Sequence, residues 1–124
     1  MAFVTRENFE ANLENQRAMT PQTLMQLREY GVADDASLRL EFFFYTDDVS
    51  KGSALADELG ARAYQVEHEP SASDPEIRVI TGWTTPIPMH NESALDWTED
   101  MCRLGFKHDC EFDGWGTNPS QDAA

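Results

Sequence analysis

Two periods organise the apolar positions of the chain. In SLRLEFFFY, 37–45, bulky residues alternate so that Leu38, Leu40, Phe42 and Phe44 share one face and Arg39, Glu41, Phe43 and Tyr45 the other. β-formers dominate, which predicts a strand. ARAYQVEH, 61–68, places Tyr64, Val66 and His68 on one face, and EIRVITGWT, 76–84, does the same with Ile77, Val79, Thr81 and Trp83. The turn-rich EPSASDP between them predicts a hairpin. HDCEFD, 108–113, alternates His108, Cys110 and Phe112 against Asp109, Glu111 and Asp113 and predicts the last strand. Helical spacing appears elsewhere. Ala94, Trp97, Met101 and Leu104 form one stripe of a helix capped by Asn91 or Ser93 and ended by Gly105, and residues 48–59 give a second helix stopped by Gly60. At the N-terminal end a polar helix is expected over 5–17 and another from Thr20-Pro21 to Tyr30-Gly31, because proline suits a first helical turn. TPIPMH, 85–90, with alternating prolines, is expected to be irregular.

After the N-terminal helices the order is strand, helix, strand, strand, helix, strand. That predicts an α+β, ferredoxin-like split β-α-β sandwich: a four-stranded antiparallel sheet with two packed helices on one face and the first and third strands central. The expected division is an N-terminal polar helix over 1–19, the domain over 20–117 and a short flexible tail over 118–124. Leu40, Phe42, Val79, Trp97, Met101 and Phe112 are expected in one core. The other face of the sheet would carry Arg39, Glu41, Phe43, Tyr45, Arg78, Ile80, Asp109, Glu111 and Asp113. Such a face can be solvated and laced with cross-strand ion pairs, covered by the N-terminal helices, or used to bind a partner.

Composition narrows the choice. The chain has 124 residues, suited to one domain, with 40% hydrophobic and 26% charged residues. No run approaches the roughly 18 apolar residues of a membrane span, and the N-terminus lacks the apolar centre of a secretory signal, so a cytoplasmic protein is expected. The net charge is −14, from 23 acids against 9 Lys and Arg. That argues against direct nucleic-acid binding and for solubility and attraction to basic partners.

The candidate chemistry is sparse. There is no nucleophile-elbow pattern and no glycine-rich phosphate loop. Cys102, His108 and Cys110 lack a convincing fourth ligand, so no metal and no cofactor are expected, and the cysteines are read as free thiols. Asp109, Glu111 and Asp113 would lie in a row about 7 Å apart, a crowding that can raise a pKa, but on a sheet face rather than in a cleft. In EFDGWGT, 111–117, Asp113-Gly114 is a turn signal and Trp115 is placed to fold over the end of the core. This stretch therefore reads as a strand terminator, with a binding surface as the alternative.

The same stretch carries a resemblance. Its aromatic-Asp-Gly-Trp ending resembles that of the family of regulators of ribonuclease activity B (RraB), the ribonuclease E inhibitors. LRLEFFFYT resembles the family's first strand, ALADELGARAYQV its helix and second strand, and Asp96 to Leu104 falls on its last helix, so the similarity covers about residues 20–117. Only Asp113-Gly114-Trp115 is a distinctive motif. The chain departs at Pro21, which is expected to break a usually single N-terminal helix, and in ending on NPSQDAA where a long acidic tail would stand. The resemblance implies a ferredoxin-like fold, no catalytic residues, and restraint of RNA decay by binding.

Charge, sheet face and resemblance together point to an acidic, non-enzymatic regulator. Its partner would be a basic, arginine-rich protein segment, with ribonuclease E the candidate. The expected contacts are Phe43, Tyr45, Asp109, Glu111, Asp113 and Trp115. Two other classes stay open: a small-ligand binder or enzyme using a pocket near Trp83, Ile87, Met89 and Trp115, and an interaction module for another basic protein.

Overall fold

A computed structural model describes residues 2–119. The tail expected over 118–124 lies outside the described residues from position 120 on. Helix α1 (Arg6–Glu29) runs unbroken through Pro21, capped by the Thr5 side chain, whose Oγ1 accepts from the Asn8 N–H. The two helices expected there are thus corrected to one helix. Proline withholds one hydrogen bond from the helix ladder. Packing outweighs that loss: Gln16, Thr20, Leu24 and Leu27, at spacings of four, four and three, are buried as one stripe. α1 lies along α3 (Asn91–Lys107), where Phe9 stacks on Phe106 with centroids 4.4 Å apart and Thr20 Oγ1 meets Thr98 Oγ1 at 3.1 Å.

The first strand segment is interrupted. β1 (Ser37–Leu38) pairs antiparallel with β5 (Ile87–Pro88), so part of the proline stretch is regular after all. β2 (Glu41–Thr46) continues into the main sheet. α2 (Val49–Ala61), β3 (Gln65–Pro70), β4 (Arg78–Trp83) and, after α3, β6 (Glu111–Gly116) complete the chain. The four-stranded sheet has the order β3-β4-β2-β6, all antiparallel, with β4 and β2 central. α2 packs on β2, β3 and β4, and α3 on β6 and β5. Leu40, Phe42, Phe44, Leu55, Leu59, Ile80, Trp97, Met101 and Phe112 fill the space between.

All three helices end in the same way. The residue after the C-cap is left-handed: Gly31 (φ 90°), Ala63 (φ 66°) and Asp109 (φ 55°). The next residue returns its N–H to the carbonyl five positions back, as Val32 does to Leu27, Tyr64 to Leu59 and Cys110 to Gly105. This is the Schellman closure. Because two of the three left-handed positions are not glycine, Gly60 and Gly105 are misleading stop signals. Both lie inside helices, and a Cβ at Gly105 would come within 2.7 Å of the Cys110 carbonyl. Helix α3 is capped by His90 rather than Asn91 or Ser93.

Two strand assignments change. In β4 the parity is the reverse of the expected one: Ile80 opposes Phe44 and is buried, while Val79 opposes Tyr45 on the other face and is only half-buried. Gly82 fits this parity, since a Cβ there would stand 1.8 Å from the Gln65 carbonyl oxygen. In β6, Asp109 lies before the strand, and EFDGWG is strand rather than terminator. Phe44 opposes Phe112 and Phe43 opposes Gly114, so Asp113 is the extra residue of a bulge. The bulge, with Gly114 at φ 114°, lets Phe112 and Trp115 both face the core although they are three apart.

Candidate functional site

Helices cover one face of the main sheet. α1 packs on α3 and β6 and does not cover the other face, so of the alternatives left open by the sequence the helical cover is not the one adopted. The registers lay the residues of the uncovered face out in rows across the strands. Gln65, Trp83 and Glu41 form one row, Glu67, Thr81 and Phe43 the next, and Glu69, Val79, Tyr45 and Glu111 the third. Phe43, Tyr45, Val79 and Trp83 are half-buried, whereas Glu67, Glu69 and Glu111 are exposed. The result is an aromatic centre with carboxylates on both flanks.

Most of the cations are elsewhere. Arg62–Asp100 (2.6 Å), Lys107–Glu58 (2.7 Å) and Arg17–Glu99 (2.8 Å) tie the helical layer together. Arg78 shares the parity of Ile80, on the helix side of the sheet, and its Nε donates to His68 Nε2 at 3.1 Å. Among the described residues no Lys or Arg forms an ion pair with Glu41, Glu67, Glu69 or Glu111. Most of the basic side chains are thus engaged on the helices, and the face carries an excess of carboxylates, with Arg39 beside Trp83 at one end.

Of the six residues singled out from the sequence, Phe43, Tyr45 and Glu111 share this face. Asp113 projects from the bulge at its margin, exposed, and partial desolvation pushes its carboxyl above the ordinary value. The structure puts Asp109 and Trp115 elsewhere. Asp109 accepts from the Phe3 and Val4 N–H groups, both at 2.7 Å, and from Lys51 Nζ at 2.5 Å. Partial burial raises its pKa, but the bonds from Lys51, Phe3 and Val4 prevail and hold the carboxyl below its usual value. Asp109 is a clamp between the N-terminal segment, α2 and the start of β6. Trp115 lies on the helix side, edge-on to Trp97 at 6.2 Å, with its indole N–H donating to Thr20 Oγ1 at 3.3 Å.

Trp83 and Trp115 therefore lie on opposite faces, and Met89 is fully buried, so the single pocket expected to join them does not form. Instead Trp83 lines two shallow cavities. One, of about 230 Å³, is bounded by Glu41, Gln65, Glu67, Thr81 and Gly82; the other, of about 260 Å³, by Arg39, Gln65 and Asn118. Val79, Thr81 and Trp83 were missed as face residues because both parities of 76–84 carry β-branched side chains. Gly82 held the signal.

Among the described residues no group of three or more His, Cys, Asp or Glu is placed to hold a metal, and no helix is long and apolar enough to cross a membrane. Cys102 and Cys110 are buried free thiols, and burial pushes them up to about 12 and about 11. Neither is poised as a nucleophile.

A four-stranded antiparallel sheet with helices on one face and an uncovered, acid-rimmed aromatic face on the other defines a small α+β domain. Residues 17–117, most of the chain, match the family described as regulator of ribonuclease activity B, and the chain belongs to that family. The proteins named regulator of ribonuclease activity B from Escherichia coli (strain K12) and from Shigella flexneri are each similar to it, at 28% identity over 107 residues. The aligned stretch is 85% of this chain and 78% of either relative. The resemblance carried by Asp113-Gly114-Trp115 and the element order is borne out, and the matched region begins inside α1.

Proposed function

We propose that this protein is a non-enzymatic regulator of ribonuclease activity that acts in the cytoplasm by binding a basic, arginine-rich protein segment. By family resemblance ribonuclease E is the candidate partner, and the consequence is restraint of RNA decay by occlusion or altered complex composition. The strand order, with the first and third main-sheet strands central and both crossover helices on one face, is read as the ferredoxin-like arrangement. The observation that carries the reading is the uncovered face itself. Phe43 and Tyr45 form an apolar centre beside Glu111 and Asp113, and interfaces combine such aromatic anchors with a polar rim. The net charge of −14 disfavours direct contact with nucleic acid and favours fast encounter with a basic segment.

Surface plasmon resonance on immobilised ribonuclease E tests this. Glu111→Gln with Asp113→Asn is expected to slow association at low salt. The difference should vanish near 1 M salt, where the Debye length is about 3 Å. Tyr45→Ala is expected to speed dissociation at any salt. Absence of wild-type binding, or unchanged rates in both variants with the fold intact, refutes the proposal.

A further inference from the structure

At the Trp83 end of the uncovered face, the cavity of about 230 Å³ exists because Thr81 is small where its neighbours are large. It stands between Phe43 and Glu67 in its row, and beside Trp83 along its strand. The Thr81 Oγ1 is buried and has no hydrogen-bond partner among the described residues. The hydroxyl has no solvent-accessible surface and so lies just beneath the cavity floor, where being unpaired costs free energy that a polar group reaching it would relieve. Glu41 and Glu67 stand at diagonal corners, two strands and one row apart. Ideal strand spacings put their Cα atoms about 12 Å apart. Two glutamate side chains can span that distance by meeting on one group above Thr81. Trp83 and Gln65 complete the lining.

The charge of this lining is negative. Two carboxylates accept hydrogen bonds, the Thr81 hydroxyl and the Gln65 carboxamide can accept as well as donate, and an indole face attracts cations. The complementary group is planar, positively charged and carries several N–H donors in a fixed fork. A guanidinium has these properties and an ammonium has only part of them. Resting on the reading that the face takes a basic segment, we infer that the Glu41–Glu67–Thr81–Trp83 cavity seats an arginine side chain of the docked partner segment. The aromatic centre at Phe43 and Tyr45 would then hold the rest of the segment. A second copy of this chain does not suit the face, because two chains of charge −14 repel.

The test uses the full chain and a short peptide alternating arginine and valine, with lysine and citrulline versions, by calorimetry at low salt. The arginine peptide is expected to bind. Glu67→Gln and Glu41→Gln are each expected to weaken it about tenfold, the scale of one lost charge-assisted hydrogen bond. Citrulline should abolish most of the binding and lysine should weaken it several-fold. Glu67 is exposed, so its variant should keep the fold, and the citrulline comparison needs no variant at all. If Tyr45→Ala and Glu111→Gln weaken the peptide while Glu41→Gln and Glu67→Gln do not, the arginine seat is wrong and the face reading stands. Equal binding of the lysine peptide also overturns the seat. Blocked arginine amide binding as tightly as the peptide overturns the protein segment as occupant. No binding of the arginine peptide overturns seat and face together.

Discussion

Asp109→Asn separates a structural carboxylate from a binding one. The two oxygens of Asp109 take the N–H groups of Phe3 and Val4, and one also takes Lys51 Nζ. Asparagine keeps one acceptor oxygen but turns an NH₂ group toward one of those N–H donors. One hydrogen bond to an ionised acceptor is lost and the other loses its charge. In this partly exposed setting each contact contributes about 1 kcal/mol, comparable to a helix cap, so about 2 kcal/mol is expected in all. Strain does not contribute, because asparagine tolerates the left-handed φ of 55°. For a domain of this size that is a fall in Tm of about 8 °C. Val4 is buried and is anchored through this clamp, so the amides of residues 3 and 4 should also exchange faster. Urea denaturation should show a lower midpoint at unchanged slope. The depressed carboxyl implies stability that is present above its unfolded pKa and is lost as pH falls through the lower folded value, and the variant should lose that dependence. Glu111→Gln, exposed on the open face, is the control and should stay within about 0.5 kcal/mol. If Asp109→Asn leaves the urea midpoint unmoved and instead slows partner association, Asp109 belongs to the interface and the clamp is wrong.

Phe42, with no exposed surface and rings of Phe44 and Tyr64 at 6.0 and 5.9 Å, should cost about 3–5 kcal/mol when cut to alanine, read from urea midpoints. Burial and Arg78 hold the pKa of His68 below its usual 6.5, so the unfolded chain takes up this proton first. Stability should therefore fall as pH drops below about 6.5, and the pH slope of His68→Gln should be shallower there by that one proton. Ala63→Gly should gain about 1 kcal/mol in thermal or urea melts, since it relieves a left-handed alanine at the end of α2; a loss would mean that chain entropy outweighs the strain.

Local sequence determined the elements whose signal is short-range and redundant. The alternation Leu38, Leu40, Phe42, Phe44 and the stripe Ala94, Trp97, Met101, Leu104 each commit one face to the core, whatever lies opposite. The aromatic-Asp-Gly-Trp ending also carried the family. Tertiary structure decided what local pattern left balanced. Pro21 stays inside a helix because the domain buries Gln16, Thr20, Leu24 and Leu27, with Thr20 against Thr98 of α3 and Gln16 beside Gly114 of β6; two of the four are polar and so invisible to a hydrophobic count. β4 could present either parity, and the register that sets Ile80 opposite Phe44 in the core decided between them, with Gly82 leaving room for the Gln65 carbonyl. That choice put Val79, Thr81 and Trp83 beside Phe43 and Tyr45 and gave the open face its centre. Asp109 and Trp115 left that face for reasons a strand alternation cannot contain. A left-handed cap delayed the start of β6, and a bulge at Asp113 shifted the alternation within it. Periodicity fixes faces only within an unbroken strand; where a cap or a bulge inserts a residue, the packing of the two sides decides which way each side chain points.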